Sequence, residues 1–320
     1  MKAAVYHRYG PPDVLSIEEI DAPEIAPEGH DDRVLIEVHA AAVNPFDVLH
    51  RRGYLPVRAS AGWLRPKYDV LGIDVAGIVI GVGKDVTRLA VGDALYGICL
   101  GSHAEFVRAR ERTVAKMAAN LTFLQAAALP TAAITALQAL RDYAHLQPGQ
   151  SVLVNGASGG VGHFAVQLAK YYGATVTAVT STANLAWVQA LGADEVIDYT
   201  REDFTRAGRK YDLIYDAAAS RTYFACKPAL APGGMYITEN PGKPAFQMFQ
   251  VIFSALRGDQ HVRTHIARPD GEDLDFLRGL AEESRIRPVI EKVYPLEEIA
   301  AAHRHLEGGH TKGKLVIQVR

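Results

Sequence analysis

Ser151-Val-Leu-Val-Asn-Gly156-Ala-Ser-Gly159-Gly160-Val-Gly162-His-Phe-Ala-Val-Gln-Leu-Ala-Lys170 is the stretch that decides the fold of this chain. A valine-rich run leads into a cluster of glycines, and apolar residues then recur at helical spacing. This pattern predicts a strand, a tight turn and a helix. A second strand is predicted directly afterwards, over 174–179, so the stretch opens a unit of parallel sheet.

The glycines of this turn indicate a phosphate-binding loop. Glycine adopts positive φ, lets a ligand approach the backbone and lets the helix pack closely against the strand. The first N–H groups of a helix lack intrahelical partners and lie at the positive end of its dipole, so they can bind a diphosphate without a basic side chain. The spacing, G-x-x-G-G-x-G, departs from the usual G-x-G-x-x-G, and a turn that only closes a βα unit is the alternative. The predicted dinucleotide contacts are Gly156, Ala157, Ser158, Gly159, Gly160, Val161 and Gly162.

Composition indicates a soluble globular protein that acts on small molecules. The chain has 320 residues, is 48% hydrophobic and carries a formal net charge of -2, with no long block of basic residues. Nucleic acid and membranes are therefore not expected as partners. Two cysteines are too few for a disulfide framework or a cysteine-rich zinc site. Without an apolar signal sequence or a long apolar run, a cytoplasmic location is expected.

Residues 1 to about 118 predict an all-β domain with a small barrel-like sheet, because short apolar runs alternate with glycine-containing turns. The predicted strands cover 2–6, 15–20, 34–40, 75–82, 93–98 and 104–109.

Strands and helices alternate in the second part of the chain, which predicts a parallel sheet with helices on both faces. Two alanine-rich helices separated by Pro130 precede it. Predicted strands cover 151–155, 174–179, 195–198, 211–216 and 235–238, and predicted helices cover 160–172, 183–191, about 202–207 and 221–230. Further helices are expected at 245–257, 272–284 and 296–306, and strands at 288–293 and 314–319. We expect the last strand to return to the first domain, so that 1–120 and about 270–320 form one domain and 121–269 the other.

The end of the second predicted strand favours NADP over NAD. An Asp or Glu at this point binds the free 2′-hydroxyl of NAD, whereas this chain has hydroxyl and amide side chains that can donate to a 2′-phosphate. The alternative is that Ser181 or Thr182 caps the helix that begins near Ala183. The predicted contacts here are Thr180, Ser181, Thr182 and Asn184.

Seven segments, in order along almost the whole chain, resemble the zinc-independent quinone oxidoreductase branch of the medium-chain dehydrogenase/reductase superfamily. They are Val43-Asn44-Pro45-Phe46-Asp47, Leu71-Gly72-Ile73-Asp74-Val75-Ala76-Gly77, Gly92-Asp93, Ala127-Ala128-Leu129-Pro130, residues 155–162, Ala190-Leu191-Gly192-Ala193-Asp194 and Gly313-Lys314-Leu315-Val316.

The resemblance implies a GroES-like domain, a Rossmann domain and hydride transfer from NADPH to quinones or α,β-unsaturated carbonyls. Zinc-dependent relatives place a Cys where Asn44 stands and Gly-His-Glu where Gly72-Ile73-Asp74 stands. They also carry four closely spaced cysteines, whereas Cys99 is alone in the segment 85–115. We therefore predict no metal. Relatives often carry a basic residue where Ala183 and Asn184 stand, which weakens the preference for NADP.

The resemblance also implies candidate catalytic residues, namely Asn44, Asp47 and Tyr54. Asn44 and Asp47 match positions that contact substrate or nicotinamide, and Arg51 and Tyr54 are expected on the following loop. Alternatively, Asn44 and Asp47 only cap a short helix that begins at Pro45. Tyr54 is a candidate donor to a carbonyl oxygen, or else an aromatic wall of the site.

Five further residues complete the predicted coenzyme site. Pro130 and Thr135 match positions that hold the nicotinamide end, and Lys314 resembles a family residue close to the cofactor. Asn240 follows the last predicted Rossmann strand, where ligands bind in open α/β sheets. Tyr199 is a candidate for packing on the adenine.

Three functions are consistent with these features. The leading hypothesis is an NADPH-dependent reductase of quinones or conjugated carbonyls, and a zinc-free alcohol or aldehyde oxidoreductase is the second. The third is a non-catalytic NADPH-binding protein, because a fold alone does not establish activity. The substrate is expected near a long loop over 53–67, and a homodimer through a strand over 288–293 is suggested by the family.

Overall fold

The computed structural model describes residues 1–25, 31–239, 256 and 261–320. The chain forms two compact units. Unit 1 comprises Met1–Ile134, Pro269–Ser284 and Pro288–Arg320, and unit 2 comprises Thr135–Arg268 and Arg285–Arg287.

The described strands and helices are numbered here along the chain. The strands are β1 Lys2–Val5, β2 Ser16–Glu19, β3 Arg33–Val43, β4 Asp74–Val82, β5 Ala94–Ile98, β6 Phe106–Arg110, β7 Val114–Lys116, β8 Ser151–Asn155, β9 Thr175–Thr180, β10 Glu195–Asp198, β11 Tyr211–Asp216, β12 Leu230–Thr238, β13 Val262–Thr264, β14 Ile290–Pro295 and β15 Lys314–Gln318. The α-helices are α1 Pro45–Arg52, α2 Leu55–Ala61, α3 Phe123–Ala127, α4 Pro130–Gln138, α5 Gly162–Tyr171, α6 Leu185–Gln189, α7 Tyr223–Cys226, α8 Gly271–Glu282 and α9 Ile299–Glu307. Short 3₁₀ helices cover Pro12–Val14, Glu111–Thr113, Thr182–Asn184, Phe204–Arg206, Lys227–Ala229 and Leu296–Glu298, and a π-helix covers Ala139–Tyr143.

Unit 2 contains a six-stranded sheet in the order β10-β9-β8-β11-β12-β13. All five pairings are parallel. Val152, Leu153 and Val154 of β8 have no solvent exposure, which is typical of a strand covered on both faces. The strand order reverses between β8 and β11, as in dinucleotide-binding folds, so the predicted Rossmann-type fold is confirmed.

Unit 1 is organised around the eleven-residue strand β3. It forms a seven-stranded sheet in the order β14-β15-β3-β4-β5-β7, with β6 also paired to β3. Val34, Ile36 and Val38 alternate with more exposed residues and pack in the core beside Val75 and Val79 of β4. β15, from the C-terminal part of the chain, pairs antiparallel with β3.

Several details differ from the sequence-based expectations. Unit 1 is not all-β, because α1 and α2 follow β3 and the expected loop over 53–67 contains α2. β7 and β13 were not predicted, since each has only three residues and too few apolar positions for a periodic signal. The helices predicted near 202–207 and over 221–230 are reduced to short turns. The helix predicted over 245–257 lies, apart from Leu256, outside the described residues.

Candidate functional site

The turn between β8 and α5 is so tightly folded that it requires glycine. Gly156 has a φ of +80°, and a Cβ added to it would lie 2.7 Å from the Cβ of Ala218. A Cβ added to Gly162 would lie 2.1 Å from the carbonyl oxygen of Gly156. A side chain at Gly156 would therefore displace the segment at Ala218, and one at Gly162 would push α5 away from the turn.

The same turn presents unpaired backbone donors. The N–H groups of Gly156 and Ala157 donate to the carbonyl oxygen of Val179 at 3.2 and 3.1 Å. Within the part of the chain that the structure describes, the N–H groups of Ser158, Gly160 and Val161 have no acceptor. Because α5 begins at Gly162, these donors lie at the positive end of its dipole. The predicted turn thus has the backbone donors that a diphosphate requires.

Two side chains join the strands on either side of the point where the strand order reverses. Asn155 ends β8, and its Nδ2 donates to Oδ1 of Asp216, at the end of β11, over 2.7 Å. The Tyr236 hydroxyl donates to Oδ2 of Asp216 over 2.9 Å, and burial raises the pKa of this carboxyl. Sequence reasoning missed this pair, although both residues stand at the carboxyl ends of predicted strands. They hold the strand ends beside the glycine turn at a fixed separation.

The side chains predicted to bind the adenosine end of the coenzyme form hydrogen bonds mainly with one another. Asn184 donates to the Ser181 hydroxyl over 3.1 Å and accepts from the Trp187 indole over 2.9 Å. Ser181 precedes the 3₁₀ helix Thr182–Asn184 but makes no side-chain capping bond, so the capping alternative is wrong for Ser181. The Thr180 hydroxyl is buried and has no partner among the described residues.

The strand β10 adds two charged groups to this region, and sequence reasoning missed both. Thr182 donates to Oδ2 of Asp198 over 2.5 Å, a bond that lowers the pKa of Asp198. Nε of Arg201 lies 3.9 Å from the same oxygen, and this side chain is 80% exposed. Tyr199, between them, is 45% exposed. The sequence signal was the run Asp198-Tyr-Thr-Arg201 directly after a predicted strand.

Unit 1 contains a buried polar centre formed by Asn44, Asp74, Lys314 and Thr131. Nζ of Lys314 donates to Oδ1 of Asn44 over 2.5 Å and to Oδ2 of Asp74 over 3.1 Å, and Nδ2 of Asn44 donates to the same Asp74 oxygen over 3.0 Å. Asn44, Asp74 and Lys314 are at most 4% exposed.

Strand register explains why these distant residues meet. β3 pairs with β15 so that Val43 lies opposite Leu315, and with β4 so that Ala42 lies opposite Asp74. The end of β3 and the first residues of β4 and β15 therefore lie next to one another. Thr131, at the start of α4, completes the centre, because its N–H and hydroxyl donate to Oδ1 of Asp74 over 2.8 and 2.6 Å. Both carboxylate oxygens of Asp74 and the Lys314 ammonium thus have hydrogen-bond partners, the condition under which a buried charge pair is tolerated.

Asp47 has the capping geometry that sequence analysis offered as an alternative to catalysis. Its Oδ2 accepts the Asn44 N–H over 2.8 Å and its Oδ1 accepts the Gly72 N–H over 3.1 Å. Burial raises the pKa of Asp47 to about 7. The Asn44 side chain also bonds to Asp74 and Lys314.

Comparison with known proteins identifies the family. The alcohol dehydrogenase GroES-like domain matches residues 30–119, and the zinc-binding dehydrogenase domain matches residues 191–317. The 2-methylene-furan-3-one reductase of Solanum lycopersicum is 36% identical over 99% of this chain and 79% of its own length. The chain belongs to the medium-chain dehydrogenase/reductase superfamily. The resemblance to its quinone and enone oxidoreductases is confirmed.

Two further relatives support this assignment. The chloroplastic NADPH-dependent alkenal/one oxidoreductase of Arabidopsis thaliana is 35% identical over 99% of this chain and 79% of its own length. The solved quinone oxidoreductase from Coxiella burnetii is 34% identical, with a TM-score of 0.89, over 100% of this chain and 99% of that chain. This medium-chain dehydrogenase/reductase is therefore an oxidoreductase.

The polar centre of this oxidoreductase does not suit a catalytic zinc ion. The Lys314 ammonium contacts both Asn44 and Asp74. A second cation would meet that ammonium instead of a set of anionic and imidazole ligands. Among the described residues, no group of three His, Cys, Asp or Glu side chains could hold a metal.

The remaining predicted residues of this oxidoreductase are distributed as follows. Arg51 is not on a loop but in α1, fully buried, where it donates to the carbonyl oxygen of Gly10 and to Glu307. Tyr54 precedes α2 and is partly buried. α4 begins at Pro130 and contains Thr135, which is 8% exposed. Asn240 lies outside the described residues. The described helices include none that is both long and apolar enough to cross a bilayer.

Proposed function

We propose that this oxidoreductase transfers hydride from NADPH to quinones and to α,β-unsaturated carbonyls without a metal ion. The observation that carries the proposal is the β8–α5 turn, where the amides of Ser158, Gly160 and Val161 have no acceptor among the residues that the structure describes and lie at the start of α5. The relatives named as quinone oxidoreductase and as alkenal/one oxidoreductase support the choice of substrates.

Each unit contributes a different group of residues to this function. The turn of unit 2 binds the diphosphate, and the coenzyme supplies the hydride when bound. In unit 1, the amide nitrogen of Asn44 has two protons, of which Asp74 accepts one, so the other can orient a nicotinamide or substrate oxygen. Tyr54 donates to the carbonyl oxygen that becomes negative as hydride arrives. Positioning is the main requirement of hydride transfer, and the polar centre supplies it by holding Asn44 in one orientation.

Preference for NADPH is proposed to depend on Arg201. The sequence lacks a basic residue after β9, but Arg201 follows β10 and lies beside Asp198, which also binds Thr182. A guanidinium in this place can bind a 2′-phosphate and offset the carboxylate. Arg201→Gln should raise the KM for NADPH about tenfold, the effect of one charge-assisted hydrogen bond, and leave the KM for NADH nearly unchanged. Arg206→Gln, at a side chain that is 88% exposed, is the control and should change neither value.

The function is tested by following NADPH oxidation with a quinone, an enone and a saturated aldehyde, and coenzyme reduction with alcohols. We expect NADPH to be oxidised with the quinone and the enone only, at a rate that metal chelators do not change. Tyr54→Phe should lower kcat/KM for the enone about 100-fold if the hydroxyl donates in the transition state. Activity with aldehydes and alcohols alone would favour the alcohol oxidoreductase, and tight NADPH binding without any turnover would favour the non-catalytic binding protein.

We also propose a homodimer that forms through β14 and a cytoplasmic location. β14 is an edge strand, because within the described chain it pairs only with β15. Light scattering should therefore give twice the mass of the chain, and a monomer at micromolar concentration would contradict this proposal.

A further inference from the structure

A second cluster of ionisable side chains lies in unit 2, away from the glycine turn in sequence, at the carboxyl ends of β11, β12 and β13. Tyr215 is the penultimate residue of β11, Glu239 directly follows β12 and His265 directly follows β13. Tyr215 lies opposite Ile237 in the sheet, and Ile237 lies opposite Arg263. Since side chains two residues apart share a face, Glu239 and His265 project on the same side as these partners.

Glu239 contacts both Tyr215 and His265, and the three side chains are almost excluded from water. The Tyr215 hydroxyl donates to Oε1 of Glu239. Nδ1 of His265 lies 3.5 Å from the same oxygen, with the two side chains 0% and 6% exposed. The buried imidazole of His265 therefore lies beside the buried carboxyl of Glu239.

Burial determines which of these groups holds a proton at neutral pH. It raises the pKa of Glu239 to about 8, which the Tyr215 hydrogen bond opposes, and it lowers the pKa of His265 to about 4. The Thr135 backbone and Asp142 both favour the charged imidazole of His265, and the Tyr143 ring lies 4.8 Å away between centroids. Near pH 7 the carboxyl of Glu239 is thus protonated and the imidazole is neutral.

We propose that Glu239 and His265 form a proton-donating pair that completes the reduction of conjugated carbonyls. The inference rests on the proposed function and on the position of the pair at the carboxyl edge of the sheet, where open α/β folds bind their ligands. Tyr54 is proposed to donate to the carbonyl oxygen, and no residue predicted from the sequence protonates the α-carbon.

Hydride forms a C–H bond at the β-carbon of the enone, and the π electrons of the C=C bond move to give an enolate, while NADPH is oxidised to NADP⁺. The enolate α-carbon then takes the proton of the pair, and the electron pair of the broken O–H bond stays on the Glu239 carboxylate. Solvent returns one proton to Glu239. A reduced quinone needs protons only on oxygen, where exchange with water is fast, so it depends less on a positioned acid.

The test compares enone and quinone reduction by the full-length protein over a range of pH, with NADPH saturating. In the unmodified protein, kcat for the enone should fall above about pH 8, where Glu239 ionises. Glu239→Gln should lower the enone rate at least tenfold more than the quinone rate and abolish this pH dependence. The matched control is Glu195→Gln. Glu195 lies on β10 in an exposed ion pair with Arg209, so this variant should change neither rate.

A second variant separates proton donation from a structural role. Tyr215→Phe removes the hydrogen bond that favours the ionised carboxyl, so the decline in enone rate should move to higher pH. Equal losses of both activities in Glu239→Gln, or an unchanged pH profile in Tyr215→Phe, would overturn the inference. If the unmodified protein reduces neither substrate, the proposed function itself is wrong.

Discussion

The glycine turn of unit 2 and the polar centre of unit 1 are built in opposite ways. The turn is made of consecutive residues, and its donors are backbone amides at the start of α5. The centre is made of side chains from β4, β15, α4 and the end of β3, and Lys314 and Asn44 are 270 residues apart in the chain. The turn is polar without a buried charge, whereas the centre depends on a buried ion pair. We therefore expect substitutions in the centre to cost mainly stability, and those in the turn to cost mainly coenzyme binding.

The largest effect is expected at Lys314. Lys314→Met removes the cation from Asp74, and an uncompensated buried carboxylate costs about 3–5 kcal/mol. Lys116→Met is the control, because its pair with Asp93 is 49% exposed on the lysine side and should contribute less than about 1 kcal/mol. Urea unfolding measures both. Equal losses in the two variants would show that the centre does not stabilise unit 1 as the geometry indicates.

The next effect is expected at Gly162. Gly162→Ala places a Cβ against the carbonyl oxygen of Gly156, and overpacking of this kind costs about 1–3 kcal/mol. Displacement of the turn should also weaken NADPH binding about tenfold for each lost charge-assisted hydrogen bond, as measured by calorimetry. Gly279→Ala, in α8, has open space around the added Cβ and should be neutral or stabilise by up to about 1 kcal/mol. If Gly162→Ala binds NADPH with undiminished affinity, the turn is not part of the coenzyme site.

A pH dependence of stability is expected from Asp47. Its folded-state pKa of about 7 lies above the ordinary value of about 4, so the folded protein holds a proton that the unfolded chain has released. Stability from this group is fully present below about pH 4 and is lost as pH rises towards 7, with a slope of at most about 1.4 kcal/mol per pH unit. Asp47→Asn should flatten the measured stability over this range.

Asp93→Asn provides a control of opposite sign. A hydrogen bond from the Ala90 N–H lowers the pKa of Asp93, so its contribution is present at neutral pH and is lost as pH falls below about 4. The variant should therefore change only the acid side of the stability curve. If the stability of the Asp47→Asn variant still falls between pH 4 and 7, other buried groups cause the pH dependence.

Local elements and the turn could be predicted from sequence, because their signals are short-range. The predicted strands over 151–155, 195–198 and 211–216 coincide with β8, β10 and β11. Glycine spacing identified the turn for the same reason. β13 and the shortened helices escaped prediction, because elements of three or four residues depend on neighbours supplied by the rest of the fold.

The sites made by distant side chains were only partly predictable. Asn44 and Lys314 were predicted singly through family resemblance, but their contact and the role of Asp74 follow from the register of β3 with β4 and β15. Asp198 and Arg201 were missed because they follow the neighbouring strand, and only pairing of β10 with β9 brings them to Thr182.

By itself, the sequence determined that this chain would contain a strand, a glycine turn and a helix able to bind a diphosphate. Backbone conformation and glycine geometry are local properties, so they can be read from consecutive residues. Only the tertiary structure decided which carboxyls are buried, which of them meet a lysine and which hold a proton. Burial and charge pairing depend on strands that are distant in sequence, and their energies exist only after those strands have paired.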